Sequence, residues 1–558
     1  MGTKIDSITL NIVGKNIINV AREMNLNLIK TAYSSIIREV QDASSAIMDA
    51  NGEIVAQSES MPIHLNSISE AFKGCLEKYE ISDIKPEDII ITNDPYYGGQ
   101  HLPDIFVYTP IFYGNQLIGF TCSVGHHLDV GGGGASSLNP NANDIFSEGF
   151  VIPRLKLRGK NEWDLFKEIF SSNIRIPYIT MGDLQSQLIA NESGKVRILE
   201  LIENYELDTI LNCMNELKNY SERITRKEIS KVPDGIYTAE VLMDGVNKEK
   251  EFLRIAVSII INGSDMIVDF SGTDSQVDMM INSPLAATEA AVYTAAKCLL
   301  TSAKVPANEG CNKPIKVIVP EGSILNPLQP RPVRGRVNTA NRAFDVVIKA
   351  MSIALPERVI ASGFDTSLLI TLSYRTDEGI SIFTEPIRGG YGASYRNDGA
   401  NQVGTPLDNC TNTPVEAAEQ IYPFFYIKRY ELLEDSSGIG KYFGSQGAIR
   451  EFEILKDGVV FSFFGDRFKT SAFGLFGGGR GTCGSVKIIR NGKTTSFPTT
   501  IGTCKLEKGD LLQVVVGGGG GYGNFEERPK KYLQKDLKEE RITEKLYNKL
   551  VKNVDTKD

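Results

Sequence analysis

Residues 104–127 read DIFVYTPIFYGNQLIGFTCSVGHH. Gly114-Asn115 interrupts two apolar runs rich in β-branched and aromatic residues, and such a break between strand-like segments is the local signal for a hairpin. A tight turn there pairs residues whose numbers sum to about 229 or 230, so Asp104 lies opposite either Gly125 or His126. Just upstream, 93-NDPYYGGQHLPD-104 holds Pro95 and two glycines that exclude a regular helix or a central strand. This stretch feeds His101 and Asp104 into the first strand as His126 and His127 leave the second. Asp94, before Pro95, reads as a turn former.

The chain contains four histidines, at 64, 101, 126 and 127, and none occurs after position 127. Imidazole is the commonest metal ligand and a general base near neutral pH, so histidines gathered beside carboxylates mark a candidate site. His101, Asp104 and one of the adjacent histidines supply two nitrogens and one oxygen. That open, mixed set suits zinc, manganese or iron and leaves positions for water or substrate. Neighbours on a strand point to opposite faces, so one of His126 and His127 joins His101, while the other orients a substrate or pairs with Asp129. A second hairpin, turning at Asn51-Gly52 in 46-AIMDANGEIVAQ-57, brings Asp42 near Met61 and hence toward His64. Asp42 is then a fourth ligand or an acceptor behind one. His64, in 61-MPIHLNS-67, reads as a packed structural side chain.

At 558 residues the chain needs several domains. With 41% hydrophobic and 23% charged residues, no apolar run long enough for a bilayer and no charged-then-apolar leader, it reads as globular and cytoplasmic, with no membrane partner. The net charge of −9 and the lack of a basic stripe exclude nucleic acid as a partner. The eight cysteines never approach a C-x-x-C spacing, which argues for reduced, buried thiols rather than a zinc knuckle or a redox dithiol.

Val13, Ile17, Val20, Met24 and Leu28 recur at helical spacing, and residues 160–230 read as helical again. Strands follow over 236–271, with a hairpin across Asn262-Gly263, and then an alanine-rich buried helix within 283–303. Short strands and glycine-rich turns dominate from about 365 to Val516, before a charged helical tail. The expected fold is a mixed α and β, multi-domain chain, with an N-terminal α+β region carrying the metal site and a β-rich, glycine-rich C-terminal part. The regions run 1–235, 236–365, 366–524 and 525–558.

NDPYYGGQHLPDIFVYTPIF, 125-GHHLDVGGGG-134 and 148-EGFVIPRLKL-157 together resemble the B subunit of ATP-dependent hydantoinases. They are also similar to the C-terminal part of 5-oxoprolinases and to the alpha subunits of acetone and acetophenone carboxylases. The resemblance continues through 38-REVQDASSAIMDANGEIVAQ-57, 182-GDLQSQ-187, 410-CTNTPVEAAEQIYP-423, 434-EDSSGIGKYFGSQG-447 and 518-GGGGYG-523, and so spans essentially the whole chain. It implies metal ligands at His101, Asp104 and His126, with Asp42 a further one; the choice of His126 over His127 comes from the resemblance alone. Glycine at position 125 departs from the pattern, in which Ala or Arg precedes the histidines. A separate hydantoinase A-type ATPase subunit is implied, which uses ATP to phosphorylate the oxygen of a cyclic amide; the B subunit of the hetero-oligomer then hydrolyses the activated species. Asp42, Asp129 or the spare histidine, His127, moves the proton. Two alternatives are a subunit of an ATP-dependent ketone carboxylase and a noncatalytic scaffold with a structural metal.

The chain itself has no G-x-x-x-x-G-K-[ST], so a P-loop is absent. 479-GRGTCG-484 leads into a strand-like run instead of a helix. 512-LQVVVGGGGGYGNFEERPKKYL-533 imitates a phosphate cradle, but Pro529 delays its helix, and it reads as a tight loop. 388-RGGYG-392 and 398-DGANQVGTP-406 are either turns or substrate-facing loops. Glu416 and Glu419 share a helix face and read as a solvated face or a cap.

Overall fold

The computed structural model describes residues 5–245, 250–377 and 379–555. The chain forms two compact units, the first from 1–236, 258–336 and 407–411, the second from 237–257, 337–406 and 412–558. The division falls differently from the consecutive regions read from the sequence, because distant segments bond to one another. In the first unit, Leu407 O accepts Ile63 N and Thr411 N donates to Val40 O. In the second, the Asp244 carboxylate takes the backbone N–H groups of Phe468, Lys469 and Thr470.

The first unit is built on six strands, β1 (Ala43–Asp49), β2 (Ile54–Gln57), β3 (Asp88–Thr92), β4 (Asp104–Tyr113), β5 (Gln116–His126) and β6 (Leu155–Arg158). Their order is β2-β1-β5-β4-β3-β6, so the hairpin β4–β5 occupies the middle of the sheet. Both faces of that hairpin are covered. The helices of this region are α1 (Ser7–Thr31), the single turn α2 (Ser35–Arg38), α3 (Pro62–Leu76), α4 (Gly159–Ser171) and α5 (Pro177–Tyr205). On one face Ile68, Ala71, Phe72 and Cys75 of α3 pack against Phe106, Tyr108, Phe120 and Val124. On the other, Phe166 and Phe170 of α4 and Leu184 of α5 pack against Ile105 and Val107. The alternation along β4 thus sends even positions to α3 and odd positions to α4 and α5.

α3 starts where Pro62 occupies the first helical turn, a position that loses nothing by lacking an N–H. His64, Ile68, Ala71 and Cys75 then fall at i, i+4, i+7 and i+11, one face of the helix, and that face meets the sheet. The expected elements at Asn51-Gly52, Gly114-Asn115 and Asn262-Gly263 are hairpin turns, and the alanine-rich segment is the helix Leu285–Leu300. The helix Arg336–Met351 was not read from the sequence. No helix among the described residues is long and apolar enough to cross a membrane.

In the second unit, two antiparallel sheets share one apolar core. Leu368, Ile370, Leu372 and Phe383 come from one sheet, Phe425, Phe452, Val486, Leu512 and Val514 from the other. The glycine-rich segments form a spine within this unit. Residues 518–521 are buried, and their N–H groups donate to Thr482 Oγ1, Ser445 O, Ser362 O and Gly479 O. A phosphate cradle requires donors that are still unused, and these four are taken. 388-RGGYG-392 and the segment beginning at Asp398 are woven into the same spine: Tyr391 N bonds Ala400 O and Gly399 N bonds Phe443 O.

A methyl group at Gly520 would overlap the carbonyl oxygen of Phe473, whereas one at Gly114 meets nothing within 4 Å, although its φ is +57°. Gly520→Ala is therefore expected to lower the unfolding free energy by about 3 kcal/mol and Gly114→Ala by about 1 kcal/mol, measured by urea denaturation. Equal losses would show that the spine is not close-packed.

Candidate metal centre

β4 and β5 pair Asp104 with His126 and Ile105 with Gly125. Directly opposed residues on antiparallel strands project to one face, so Asp104 and His126 both point toward α3. A bulge between Ile111 and Phe112 produces this pairing. Next to the turn, Phe112 faces Leu117 and Tyr113 faces Gln116, sums of 229; past the bulge Ile111 faces Gly119, a sum of 230 that holds down to Asp104. Without the bulge Asp104 would face Gly125, and His127 would replace His126 on its side of the sheet.

The loop before β4 brings His101 to the same place. Asn93 ties it down by donating to Leu102 O and Phe150 O and accepting from Ile152 N. The Asp94 carboxylate caps the turn Pro95–Tyr97 by accepting Tyr96 N, and Asp104 N closes a turn on His101 O. Ligand atoms of His101, Asp104 and His126 all lie within 4.8 Å of one another. His101 Nδ1 is 3.1 Å from Asp104 Oδ2 and His126 Nδ1 is 3.2 Å from Asp104 Oδ1. Asp42, just before β1, adds its Oδ2 at 3.5 Å from His126 Nδ1.

His64 joins them. Its Nε2 lies 3.5 Å from Asp42 Oδ1 and 3.6 Å from Asp104 Oδ2, while its Nδ1 meets Ser44 Oγ at 3.5 Å. The sequence reading of His64 as mainly structural, a packed side chain with one hydrogen bond, left out that its Nε2 also faces the two carboxylates; the available signal was its helical spacing with Ile68, Ala71 and Cys75. Two arginines were missed as well. Arg336 donates from Nη2 to Asp104 Oδ2 at 2.5 Å and from Nε to Gln100 Oε1 at 3.0 Å. Arg334 Nη2 lies 3.4 Å from His126 Nε2 and 3.3 Å from Ser136 O. Both sit in 331-RPVRGR-336, three arginines in six residues of an acidic chain, and that density was the available signal.

Burial holds the His101 imidazole well below its ordinary range, and the charge of Arg336 adds to the effect. Burial alone would raise the Asp104 carboxyl, yet His101, Arg336 and His64 outweigh it and hold the group well below the usual carboxylate range. Burial lowers Arg334 to about 10 and pushes Glu148, which accepts Val333 N and Arg334 N, up to about 8. A neutral imidazole beside an ionised carboxylate is the state that binds a cation. Asp42 Oδ1, Asp104 Oδ1 and both ring nitrogens of His101 are buried with no hydrogen-bond partner among the described residues. Each such atom costs roughly 1–3 kcal/mol if nothing pairs with it, and a divalent ion would satisfy the carboxylate oxygens together with one of the two nitrogens of His101.

Residues 6–525 match the family model described as Hydantoinase B/oxoprolinase. The chain belongs to this family. It is 36% identical over 552 residues to the B subunit of a putative D-/L-hydantoinase of Pseudomonas sp. strain NS671, covering 95% of this chain and 92% of that one. The crystal structure of ATP-dependent caprolactamase from Pseudomonas jessenii superposes with a TM-score of 0.89 at 28% identity, over 97% of this chain and 95% of that one. A nucleotide-free acetone carboxylase shares the fold, with a TM-score of 0.90 at 17% identity over 98% of this chain and 79% of that one.

In this Hydantoinase B/oxoprolinase family chain, His127 and Asp129 stand apart from the cluster. His127 is fully buried on the α5 face, where its Nε2 meets Gln187 Oε1 at 2.9 Å. Asp129 accepts Gly131 N and pairs with Arg175 at 3.0 Å instead of with His127. The strand period explains the separation, since His127 leaves β5 on the opposite side from His126.

The motif 182-GDLQSQ-187 also acquires a role. Asp183, Gln187 and Asn191 follow at i, i+4 and i+8 on α5, all fully buried. Asp183 accepts Tyr33 N and Ser34 N, Gln187 donates to Ile105 O and Ser123 O, and Asn191 donates to Val107 O. Gln187 and Asn191 of this stripe clamp β4 and β5 from behind the cluster, and Asp183 holds the turn after α1. Gln187→Leu would strand His127 and two carbonyls, and is expected to cost about 2–4 kcal/mol in urea denaturation. A loss below about 0.5 kcal/mol would refute the clamp.

Proposed function

We propose that the chain is the metal-containing B subunit of a heteromeric, ATP-dependent cyclic amidohydrolase of the hydantoinase and 5-oxoprolinase type. The observation that carries this reading is the convergence of His101, Asp104 and His126, with Asp42 at the rim, where His101, Asp104 and Asp42 present buried atoms with no hydrogen-bond partner among the described residues. The donors are nitrogens and oxygens without sulfur, a set suited to zinc, manganese or iron. The relatives support the rest: one is described as the B subunit of a hydantoinase, another as an ATP-dependent caprolactamase.

A cyclic amide is a weak electrophile, so its oxygen must become a leaving group or its carbon must be polarised. Phosphorylation in an A-type ATPase partner achieves the first. What a divalent ion supplies at such a site is Lewis-acid polarisation and a lowered pKa for water. His101, Asp104 and His126 would hold it, with Asp42 completing the set. Arg336 fixes the Asp104 carboxylate, and Gln100, bonded to both Arg336 Nε and Ile63 O, anchors that arginine against the start of α3. Asp42, 14% exposed where Asp104 is fully buried, is the acid through which a proton leaves.

The test is co-expression with the ATPase partner and a screen of hydantoins, 5-oxoproline, lactams and ketone plus bicarbonate for ATP-coupled turnover. His101→Ala and Asp104→Ala are each expected to lose bound metal by elemental analysis and to reduce coupled turnover by a hundredfold or more, of the order seen for loss of a metal-activated nucleophile. Full turnover in both variants would refute the metal reading. Amide hydrolysis by the isolated chain without ATP would refute the two-subunit reading, and turnover with ketone and bicarbonate alone would favour a carboxylase.

A further inference from the structure

α3 has a second face with chemistry of its own. Asn66, Ser69, Glu70 and Lys73 follow at i, i+3, i+4 and i+7, nearly opposite the His64 side that meets the sheet, and they line a cavity of about 240 Å³. Across from them stand Tyr293, on the helix Leu285–Leu300, and Glu309 and Asn312 of the single turn Glu309–Asn312. That turn is firmly held. Asn308 caps it by accepting Gly310 N, a methyl group at Gly310 would overlap Lys218 O, and Asn312 Nδ2 donates to Asn66 Oδ1 at 2.7 Å.

The charges facing this cavity do not balance. Lys73 Nζ lies 2.7 Å from Glu70 Oε1 and 3.3 Å from Glu309 Oε1, so one ammonium serves two carboxylates. Glu309 Oε2 is buried with no hydrogen-bond partner among the described residues. Glu289, one turn before Tyr293, adds a third carboxyl on that side, and the one cation acting on it is again Lys73. Lys313 and Lys218 are engaged with Glu53 instead. Burial, followed by the charge of Glu70, pushes Glu289 up to about 8 against the pull of Lys73. Taking up a proton at Glu289 relieves the excess of negative charge, and a positively charged ligand would relieve it equally.

The kind of cation follows from the spread of the acids. Among the described residues, the one set of three His, Cys, Asp or Glu ligand atoms that converges tightly is the His101 group, so this cavity lacks the cage a metal ion needs. Its carboxylates share the lining with the amides of Asn66 and Asn312 and the hydroxyls of Ser69 and Tyr293. An ammonium has one charge and three donors, which such a mixed set of acceptors can divide, and the volume admits several further heavy atoms.

We infer that this cavity is a second ligand site, distinct from the metal cluster, which takes a small primary amine with its ammonium among Glu70, Glu289 and Glu309. Opening a lactam frees such an amine, so the ligand class includes the product of the reaction proposed above, although the site stands without that reading. Lys73 and Lys313, more exposed than the acids they pair with, are available to a carboxylate at the other end of the molecule.

The experiment titrates the full-length chain by calorimetry at neutral pH with butylamine, 6-aminohexanoate, butyrate and magnesium chloride, in the wild type, Glu70→Gln, Glu289→Gln and His101→Ala. Phosphate and a tertiary-amine buffer differ in ionisation heat, so the two series give the protons exchanged on binding. The wild type is expected to bind at least one of the amines and to release about one proton as Glu289 ionises beside the ammonium. Glu70→Gln weakens that amine about tenfold or more, the size of one lost charge-assisted hydrogen bond. Glu289→Gln abolishes the proton release, a readout that survives if Glu70→Gln fails to fold. His101→Ala binds the amine as the wild type does. The two amines tell a simple alkylammonium from an amino acid. A wild type that binds neither amine, that binds butyrate as tightly, or that binds magnesium alone overturns the site. So does unchanged affinity in a folded Glu70→Gln, or unchanged proton release in Glu289→Gln. Amine binding lost in His101→Ala would move it to the metal cluster and likewise overturn the inference. Metal content is measured separately, so failure here leaves the metal reading intact, and a chain that binds amine but no divalent ion sinks that reading and not this one.

Discussion

The register of the β4–β5 hairpin is the constraint on which the candidate centre depends. A single extra residue at the bulge between Ile111 and Phe112 moves the pairing sum from 229 to 230 and puts His126 across from Asp104. Strand alternation then assigns the rest: His126 turns to α3, where His64 sits in the first turn, and His127 turns to α5, where Gln187 receives it. Because both faces of the hairpin are packed by helices, a slip by one residue would bury the wrong side chains on both sides at once. The apolar packing that stabilises the sheet is therefore what keeps the chemistry in register.

The electrostatics of the cluster follow from that burial. Two carboxylates and three imidazoles gathered in an enclosed space would be unstable without compensation, and Arg334 and Arg336 provide it from 331-RPVRGR-336, more than two hundred residues along the chain. Arg336 and the histidines keep Asp104 ionised against the effect of burial, while burial keeps His101 neutral. The same groups that balance charge thus also set the protonation states that a metal ligand needs.

The glycine-rich segments show how one sequence pattern admits two physical uses. Runs of glycine cradle phosphates when their N–H groups are unused, and they also let backbones approach more closely than any side chain allows. In the second unit the run at 518–521 is of the second kind, since its donors already meet Thr482, Ser445, Ser362 and Gly479. Nothing local to the run distinguishes the two uses. The difference lies in the loops that happen to face it.

The sequence by itself determined the hairpins, through Asn-Gly and Gly-Asn breaks between apolar runs, and the gathering of His101, Asp104 and a histidine of the adjacent pair at one hairpin mouth. These follow from local turn chemistry and from the two-residue period of a strand, which need no knowledge of the rest of the chain. It also carried the family, through motifs spread along its length. Turn chemistry alone left the choice between His126 and His127 open; the resemblance pointed to His126, and the physical reason is a bulge whose position no local signal marks. His64, Arg334 and Arg336 entered the cluster only through tertiary structure, because a helix laid across the sheet and a segment from far along the chain deliver them. The separation of His127 and Asp129 was decided there too, by Gln187 on α5 and by Arg175 just before it, which bind them behind the sheet. Contacts between segments distant in sequence are a property of packing, and packing is what the linear order of residues does not display.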